Sequence, residues 1–408
     1  MPLPRLVVLG TGFAAFNLVK HLKDDYRITV VSPRNHFLFT PLLPSTTVGT
    51  LEFRSIIEPI RHARQDVQFY HAWAKVLDPR TRVLQCEGVG SGHPFTVEYD
   101  VLVVAVGAVT NTYNVPGVKD HALFLKELHD ARELRQRIIT CFERANLPGI
   151  SREERRRLLQ FVICGGGPTG VEYAAELNDF LVEDLQRSYP DLVSEARICL
   201  VEAGREILST FDEKLRKYAT RLFRRERISV LTESPVVKVD EGSVHLQDGS
   251  ELPYGLLLWS TGNAPTTFAA GVDLPKDRLA RFVTDRYFRV KGYEDIYAIG
   301  DCGVIEGGEL PATSQVAQQE GYYLARSLNS LARKKPVKPF VYRHYGMLAY
   351  IGSNKALADL PQVKGKGFST WLFWRSAYFT KLVRWKNKIL VVFDWTKAFL
   401  FGRDASRF

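Results

Sequence analysis

The sequence predicts an α/β protein made of two parallel-sheet units, each opened by a glycine loop, with a basic helical tail. Three stretches carry that expectation: RLVVLGTGFAAFNL at residues 5–18, FVICGGGPTGVEYAAEL at 161–177, and the lysine- and arginine-rich run from residue 364 onward. In the first two, an apolar run suited to a buried strand is followed by closely spaced glycines and then by a helical pattern. At 408 residues the chain is too long for one ordinary core and fits two or three domains.

In the first unit Leu6 to Leu9 form the strand and Gly10-Thr11-Gly12-Phe13-Ala14-Ala15 gives GxGxxA. Gly10 permits a tight turn, Gly12 lets the backbone come up to a pyrophosphate, and Ala15 allows close approach of helix and strand. Phe13 and Ala14 begin a helix whose N-terminus faces the phosphate charge. The next strand, Ile28 to Val31, ends in Ser32 where an acid is usual, so a ribose contact there falls to Ser32, Arg34 or Asn35.

The second unit is more specific. Phe161 to Cys164 is a strand, Gly165-Gly166-Gly167-Pro168-Thr169-Gly170 gives GxGxxG, and the strand Ile198 to Val201 ends in Glu202. An acid at that place accepts hydrogen bonds from a ribose 2′-hydroxyl and repels a 2′-phosphate, which favours NADH over NADPH. Glu202 lies well beyond the usual interval of about 20 residues from the loop, so DFLVEDLQRSYPDLVSE is expected to be an elongated helix plus loop. Two such loops predict two Rossmann-like dinucleotide-binding domains. The runs LVVAVGA (102–108, with Gly107) and LLLWSTGNAP (256–265, with Gly262) end further strands. IYAIGDC places Asp301 just past another, where a carboxylate can hold the ribitol hydroxyls of FAD.

Hydrophobic content of 45% and charged content of 25% are those of a globular chain. No apolar stretch approaches the roughly 20 residues that span a bilayer. MPLPRL runs at once into a strand pattern, leaving no room for a cleavable leader. The five cysteines, Cys86, Cys141, Cys164, Cys199 and Cys302, have no CxxC pair and no metal-ligand spacing, so they are expected to be reduced core residues and no metal is expected. Flavin-linked disulfide reductases need neighbouring cysteines, and the region after the first loop has none.

Of the net charge of +10, residues 364 to 408 supply +8, with ten Lys or Arg against Asp394 and Asp404. The body is nearly neutral, which argues against a nucleic-acid groove. In the tail Trp371, Trp374, Tyr378, Leu382, Trp385, Ile389 and Val392 recur at three- and four-residue steps, one helical stripe, with Lys381, Arg384 and Lys388 on one flank and Arg375 and Lys386 on the other. Phe373, Phe379 and Val383 on the far side imply either two shorter helices or a helix also packed on the protein. Core burial is the plain account of an aromatic stripe. Its cations favour an interfacial, membrane-anchoring helical region.

With these residues in view, the chain resembles the two-dinucleotide-domain flavoproteins and, within them, the type II NADH dehydrogenases of the mitochondrial branch. NHFLFTPLLPSTTVGTLEFRSIIEPIR (35–61), GGGPTGVEYAAEL, IYAIGDC, LPATSQVAQQEGYYLA (310–325) and the tail carry the resemblance, which covers nearly the whole chain. No EF-hand loop is present. The resemblance implies FAD in a domain of residues 1–113 and 284–330, NADH in 114–283, and a C-terminal hairpin and amphipathic membrane region in 331–408. It implies a non-proton-pumping NADH:quinone oxidoreductase that is peripheral on the mitochondrial inner membrane, or on the cytoplasmic face of a bacterial membrane, and is a homodimer. By the same resemblance Glu172 is a proton relay, though a carboxylate in the first helical turn is also explained by the helix dipole. Gln315 and Gln319 line the quinone head-group site with Gln318 nearby, and backbone at Thr40 and Pro41 touches FAD. The rival readings are a soluble reductase feeding an iron-sulfur protein and a redox-sensing binding protein.

Overall fold

The apolar runs of the first glycine-loop unit assemble into a seven-stranded sheet in the order Ile296–Ala298, Val101–Val104, Arg5–Leu9, Arg27–Ser32, Gln68–Asp78, Val83–Gly88, Pro94–Glu98. The first five pair in parallel and the last two return antiparallel. Arg5–Leu9 and Val101–Val104 lie inside the sheet and are almost wholly buried, so they read as unbroken apolar runs. Helix Phe13–His21 follows the first strand and lies against helix Ser314–Ala332. A Cβ on Gly321 would stand 2.1 Å from the Ala14 carbonyl oxygen, so glycine alone permits that approach. These elements belong to the first of two units, formed by the residues up to Phe39, Ile57–Val109 and Asn263–Arg343. The computed structural model describes residues 2–406, so Arg407 of the basic tail lies outside them.

The second unit comprises Thr40–Ile56, Thr110–Gly262 and the chain from His344 onward. Its centre is a parallel sheet in the order Ile228–Leu231, Arg197–Val201, Gln160–Cys164, Leu256–Trp259. Helix Pro168–Phe180 crosses from Gln160–Cys164 toward Arg197–Val201 and runs on through one π turn, Leu181–Leu185, with further helical turns to Glu195. That extension accommodates the residues between Gly170 and Glu202. The chain from Met347 forms three antiparallel strands, Met347–Tyr350, Ala356–Asp359 and Lys364–Gly367.

Two expectations change here. Residues 263–283 pack with the first unit, because Ala269, Val272, Leu274 and Phe282 join the core around Val7, Leu9 and Val104. The segment 40–56 packs with the second unit, its Ser45 and Thr50 hydroxyls bonded to Glu176. Of the two arrangements open for the tail, it takes the pair of shorter helices, Phe368–Lys381 and Trp385–Phe401, separated by extended backbone at Leu382 and Arg384. Its stripe divides: Trp371, Trp374 and Leu382 are buried, whereas Trp385, Ile389 and Val392 are exposed, and in the second helix Val391 and Trp395, off the stripe, are buried instead. Among the described residues no helix is long and apolar enough to cross a membrane.

Candidate functional site

Each glycine loop is shaped by what its backbone must do. Gly10 has φ +109°, and a Cβ there would sit 2.3 Å from the Ala105 carbonyl oxygen. Gly165 repeats this in the second unit, with φ +113° and 2.3 Å to the Ser260 carbonyl oxygen. Gly12 and Gly167 differ: nothing lies within 4 Å of where their Cβ would be. The crowded glycines are required by the turn, and the open ones leave room for an incoming group at a helix N-terminus. Gly12 and Gly167 are themselves the residues before helices Phe13–His21 and Pro168–Phe180. Gly170 is glycine because a Cβ would lie 2.0 Å from the Gly165 carbonyl oxygen.

Around the first loop the Ser32 hydroxyl accepts the Arg34 amide at 3.2 Å and lies 3.3 Å from the Thr11 hydroxyl, whose Oγ1 is bonded to the Arg34 carbonyl at 3.1 Å. Ser32 and Arg34 are thus held at the loop in place of an acid. Gly107, at φ +65° with open space beside it, follows the strand next to Gly10. Asp301 sits in the turn Gly300–Cys302, half-buried. The carboxylate of Glu320, buried on helix Ser314–Ala332, accepts the Gly300 amide, and burial pushes its pKa up to about 8. Glu320 therefore braces the turn that presents Asp301, a role the sequence reading missed although the residue lies inside the quoted QVAQQEGYY run.

Around the second loop Glu202 follows the strand Arg197–Val201. Its two carboxylate oxygens accept the Gly166 and Gly204 amides, each at 2.6 Å. Gly262 has φ +50°, and a Cβ would meet the Tyr113 hydroxyl at 2.4 Å.

Glu172 is the fifth residue of its helix and lies beyond the first turn, so the dipole account does not apply. It is 7% exposed, its Oε1 accepts the Tyr350 amide at 3.0 Å, and burial pushes its pKa up to about 8. Three and four residues apart on the same helix follow two more buried acids, Glu176 and Asp179. Glu176 accepts the Ser45 and Thr50 hydroxyls at 2.6 and 2.8 Å. Asp179 accepts the Tyr350 hydroxyl and, at 3.0 Å, the Ser353 amide; burial pushes its pKa up to about 7. The π turn then carries Asp184 to Arg403, 2.8 Å away. A row of acids inside an otherwise apolar helix costs stability, and both such rows and π turns recur where proteins work.

In the first unit Gln315 Oε1 accepts the Tyr342 hydroxyl at 2.8 Å, and Gln319 exchanges two hydrogen bonds with the Arg343 backbone at 2.8 and 3.0 Å. Gln318 is half-buried beside them. Thr40 and Pro41 form a 3-10 turn with Leu42 at the head of the segment that holds Glu176.

The tail departs from a simple cationic stripe. The Arg375 guanidinium lies between the rings of Trp371 and Trp395, 4.0 and 4.7 Å from their centres, and ties the two helices together. Lys397 pairs with Glu52, and Arg403 with Glu183 and Asp184. Asp394, 3% exposed, accepts the Glu52 amide and the Ser55 hydroxyl at 3.0 and 2.6 Å. Arg375, Lys397 and Arg403 of the basic tail thus face the protein. Outside remain large apolar side chains beside the exposed Lys381, Arg384 and Lys386: Trp385 is 74% exposed, Phe399 87% and Phe401 79%. All five cysteines are free and buried.

Two sheets, each with parallel strands around its own glycine loop, define an oxidoreductase of the two-dinucleotide class. Residues 4–321 match the family described as pyridine nucleotide-disulphide oxidoreductase, and residues 344–404 match the NDH2 C-terminal domain. A Dictyostelium discoideum protein named "Probable NADH dehydrogenase" is 46% identical over 99% of this chain and 91% of its own length. The mitochondrial internal alternative NAD(P)H-ubiquinone oxidoreductase A1 of Solanum tuberosum is 42% identical over 99% and 88%. A solved structure of NDH2 from Plasmodium falciparum in complex with NADH superposes with a TM-score of 0.94 at 28% identity, covering 99% of this chain and 100% of that one. The chain belongs to the type II NADH dehydrogenase (NDH2) family.

Proposed function

We propose that the chain is a non-proton-pumping NADH:quinone oxidoreductase that holds FAD in the first unit and binds NADH in the second. The observation that carries this is the presence of two complete glycine-loop cradles in one chain, each with an open position where a pyrophosphate approaches. Gly10, Gly12, Phe13, Ala14, Ser32, Arg34, Gly107 and Asp301 are the residues that would hold FAD, with Thr40 and Pro41 contributing backbone. Gly165, Gly167, Gly170, Glu202 and Gly262 would hold NADH. Bound FAD supplies the chemistry that takes a hydride from NADH and returns two electrons to a quinone. The chain's own part is to position, to exclude water and to manage a proton. Glu172, buried and with its pKa pushed up to about 8, suits a proton relay, and Gln315, Gln318 and Gln319 suit contacts to a quinone head group.

The names of the relatives support a ubiquinone and a mitochondrial setting. The exposed Trp385, Phe399 and Phe401, with Lys386 and Lys388 alongside, support peripheral attachment to the inner membrane, and a homodimer fits the same reading. The purified protein should be yellow, should bleach on addition of NADH, and should recover its colour with a quinone in lipid vesicles. A colourless protein unable to retain FAD removes the proposal.

A further inference from the structure

Reduction of a quinone to a quinol by NADH consumes one hydride and one proton: the hydride brings both electrons and one hydrogen, and the second hydrogen must come from water. On the quinone-reductase reading, a buried relay such as Glu172 has to be reloaded once per turnover. The helix Pro168–Phe180 holds the means. Tyr350 touches two of its acids, donating its amide to Glu172 and its hydroxyl to Asp179. Beyond Asp179 the next hydrogen bonds lead outward. The Ser353 amide donates to Asp179, and the Ser353 hydroxyl donates to Glu226.

Glu226 is the outer member: its side chain is 14% exposed, and the Lys355 ammonium, 33% exposed, lies 3.6 Å away. Its other oxygen, Oε2, is buried without a hydrogen-bond partner among the described residues. Gly352 occupies the spot between the acids. A Cβ there would lie 3.1 Å from Glu226 Oε2 and 3.5 Å from Asp179 Oδ1, and its φ of +88° keeps the position glycine. Between Asp179 and Glu172 stands Glu176, one helical turn from each, bound by two hydroxyl donors and facing the Arg403 cation. Burial first, and then the carboxylate of Glu176, favours the protonated form of the neighbours on either side, Glu172 and Asp179.

We propose that Glu226, Ser353, Asp179 and Tyr350 form the intake of a proton file that runs along helix Pro168–Phe180 through Glu176 to Glu172. One proton enters from water at Glu226, is held by Asp179, and replaces the one that Glu172 gives up. Each residue ends the turnover in the state in which it began.

The test uses the full-length flavin-loaded protein carrying Asp179→Asn, whose amide oxygen still accepts from Tyr350 or Ser353. Bleaching by NADH needs no proton from outside and should keep its rate. Quinone reduction at pH 8 should fall by at least about tenfold and be restored in large part by formate, a small proton carrier. Tyr350→Phe should reproduce the formate-rescued loss, which covers a failure of Asp179→Asn to fold. The infrared band of a protonated carboxyl, recorded near pH 6 without NADH or quinone, should lose intensity in Asp179→Asn. The proposal is overturned if both half-reactions fall together without rescue, or if neither changes in either variant. A wild-type protein that bleaches with NADH yet is reoxidised by no quinone overturns the quinone reading instead.

Discussion

Glu172→Gln isolates what burial does to one carboxyl. The ordinary pKa of 4.5 is raised to about 8, first by loss of hydration and then by the nearby charge of Glu176, against which the Tyr350 amide works. Between those two values the folded protein keeps a proton that the unfolded chain has released. The unfolded state therefore binds fewer protons, and stability falls as pH rises through this window. At about 1.36 kcal/mol per pH unit, this acid costs the folded state about 5 kcal/mol by pH 8 and almost nothing at pH 4.5. Glutamine has no such dependence and can still accept the Tyr350 amide. The stability gap between variant and wild type should therefore grow with pH in the variant's favour. For 408 residues unfolding together, at about 2 cal/mol/K per residue, 5 kcal/mol is a shift of about 6 °C in Tm. Melting curves of both proteins from pH 5 to 9 measure it. Parallel curves, with a constant difference across that range, would refute the assignment of a proton to Glu172. In the same variant quinone turnover should slow while flavin stays bound.

Gly167→Ala should fold, since its Cβ meets nothing, yet raise the KM for NADH; Gly165→Ala, blocked by the Ser260 carbonyl, should fail to give soluble protein. Soluble yield and NADH titration separate the two. Glu202→Ala should raise the KM for NADH at least about tenfold and that for NADPH much less, because it removes an acceptor for the ribose and also frees two loop amides, each worth about 1 to 3 kcal/mol when left unpaired. Asp394→Ala leaves the Glu52 amide and Ser55 hydroxyl without their acceptor and should cost about 2 to 4 kcal/mol in a denaturant titration, with Asp394→Asn recovering part of it. Replacing Phe399 and Phe401 with serine should release the protein from anionic vesicles in a flotation assay without altering its melting temperature, since both side chains are exposed.

The glycine loops were legible because their constraints are local. A strand, a turn at positive φ and a helix start fit within 15 residues, and each leaves its mark on residue type. Glu202 and Asp301 could be found for the same reason, as acids closing apolar strands. The row Glu172, Glu176 and Asp179 was in plain view at helical spacing. Only Glu172 was singled out, since acids at that interval usually mark a solvated face and nothing local says they will be covered by Ser45, Thr50 and Tyr350. The brace from Glu320 to Gly300 escaped for the same reason. In the tail, periodicity alone left two short helices and one packed helix both open, and the seat of Arg375 between two tryptophans depends on a partner 20 residues away in sequence. Segment 40–56 was placed by its neighbours in sequence, whereas its hydroxyls settle on a helix more than 100 residues downstream.

Both units are woven from three separated stretches, which sets an order of events during synthesis. The strand Ile296–Ala298 takes the outermost place in the seven-stranded sheet, beside Val101–Val104. A nascent chain that has emerged only as far as Gly262 thus presents a bare β-edge of four apolar residues, a template for adhesion to any other extended polypeptide. Until nearly three quarters of the chain has left the ribosome, that border must be shielded by chaperones or by speed. Nonsense truncations ahead of residue 296 should accumulate as insoluble aggregates rather than as half-sized folded domains.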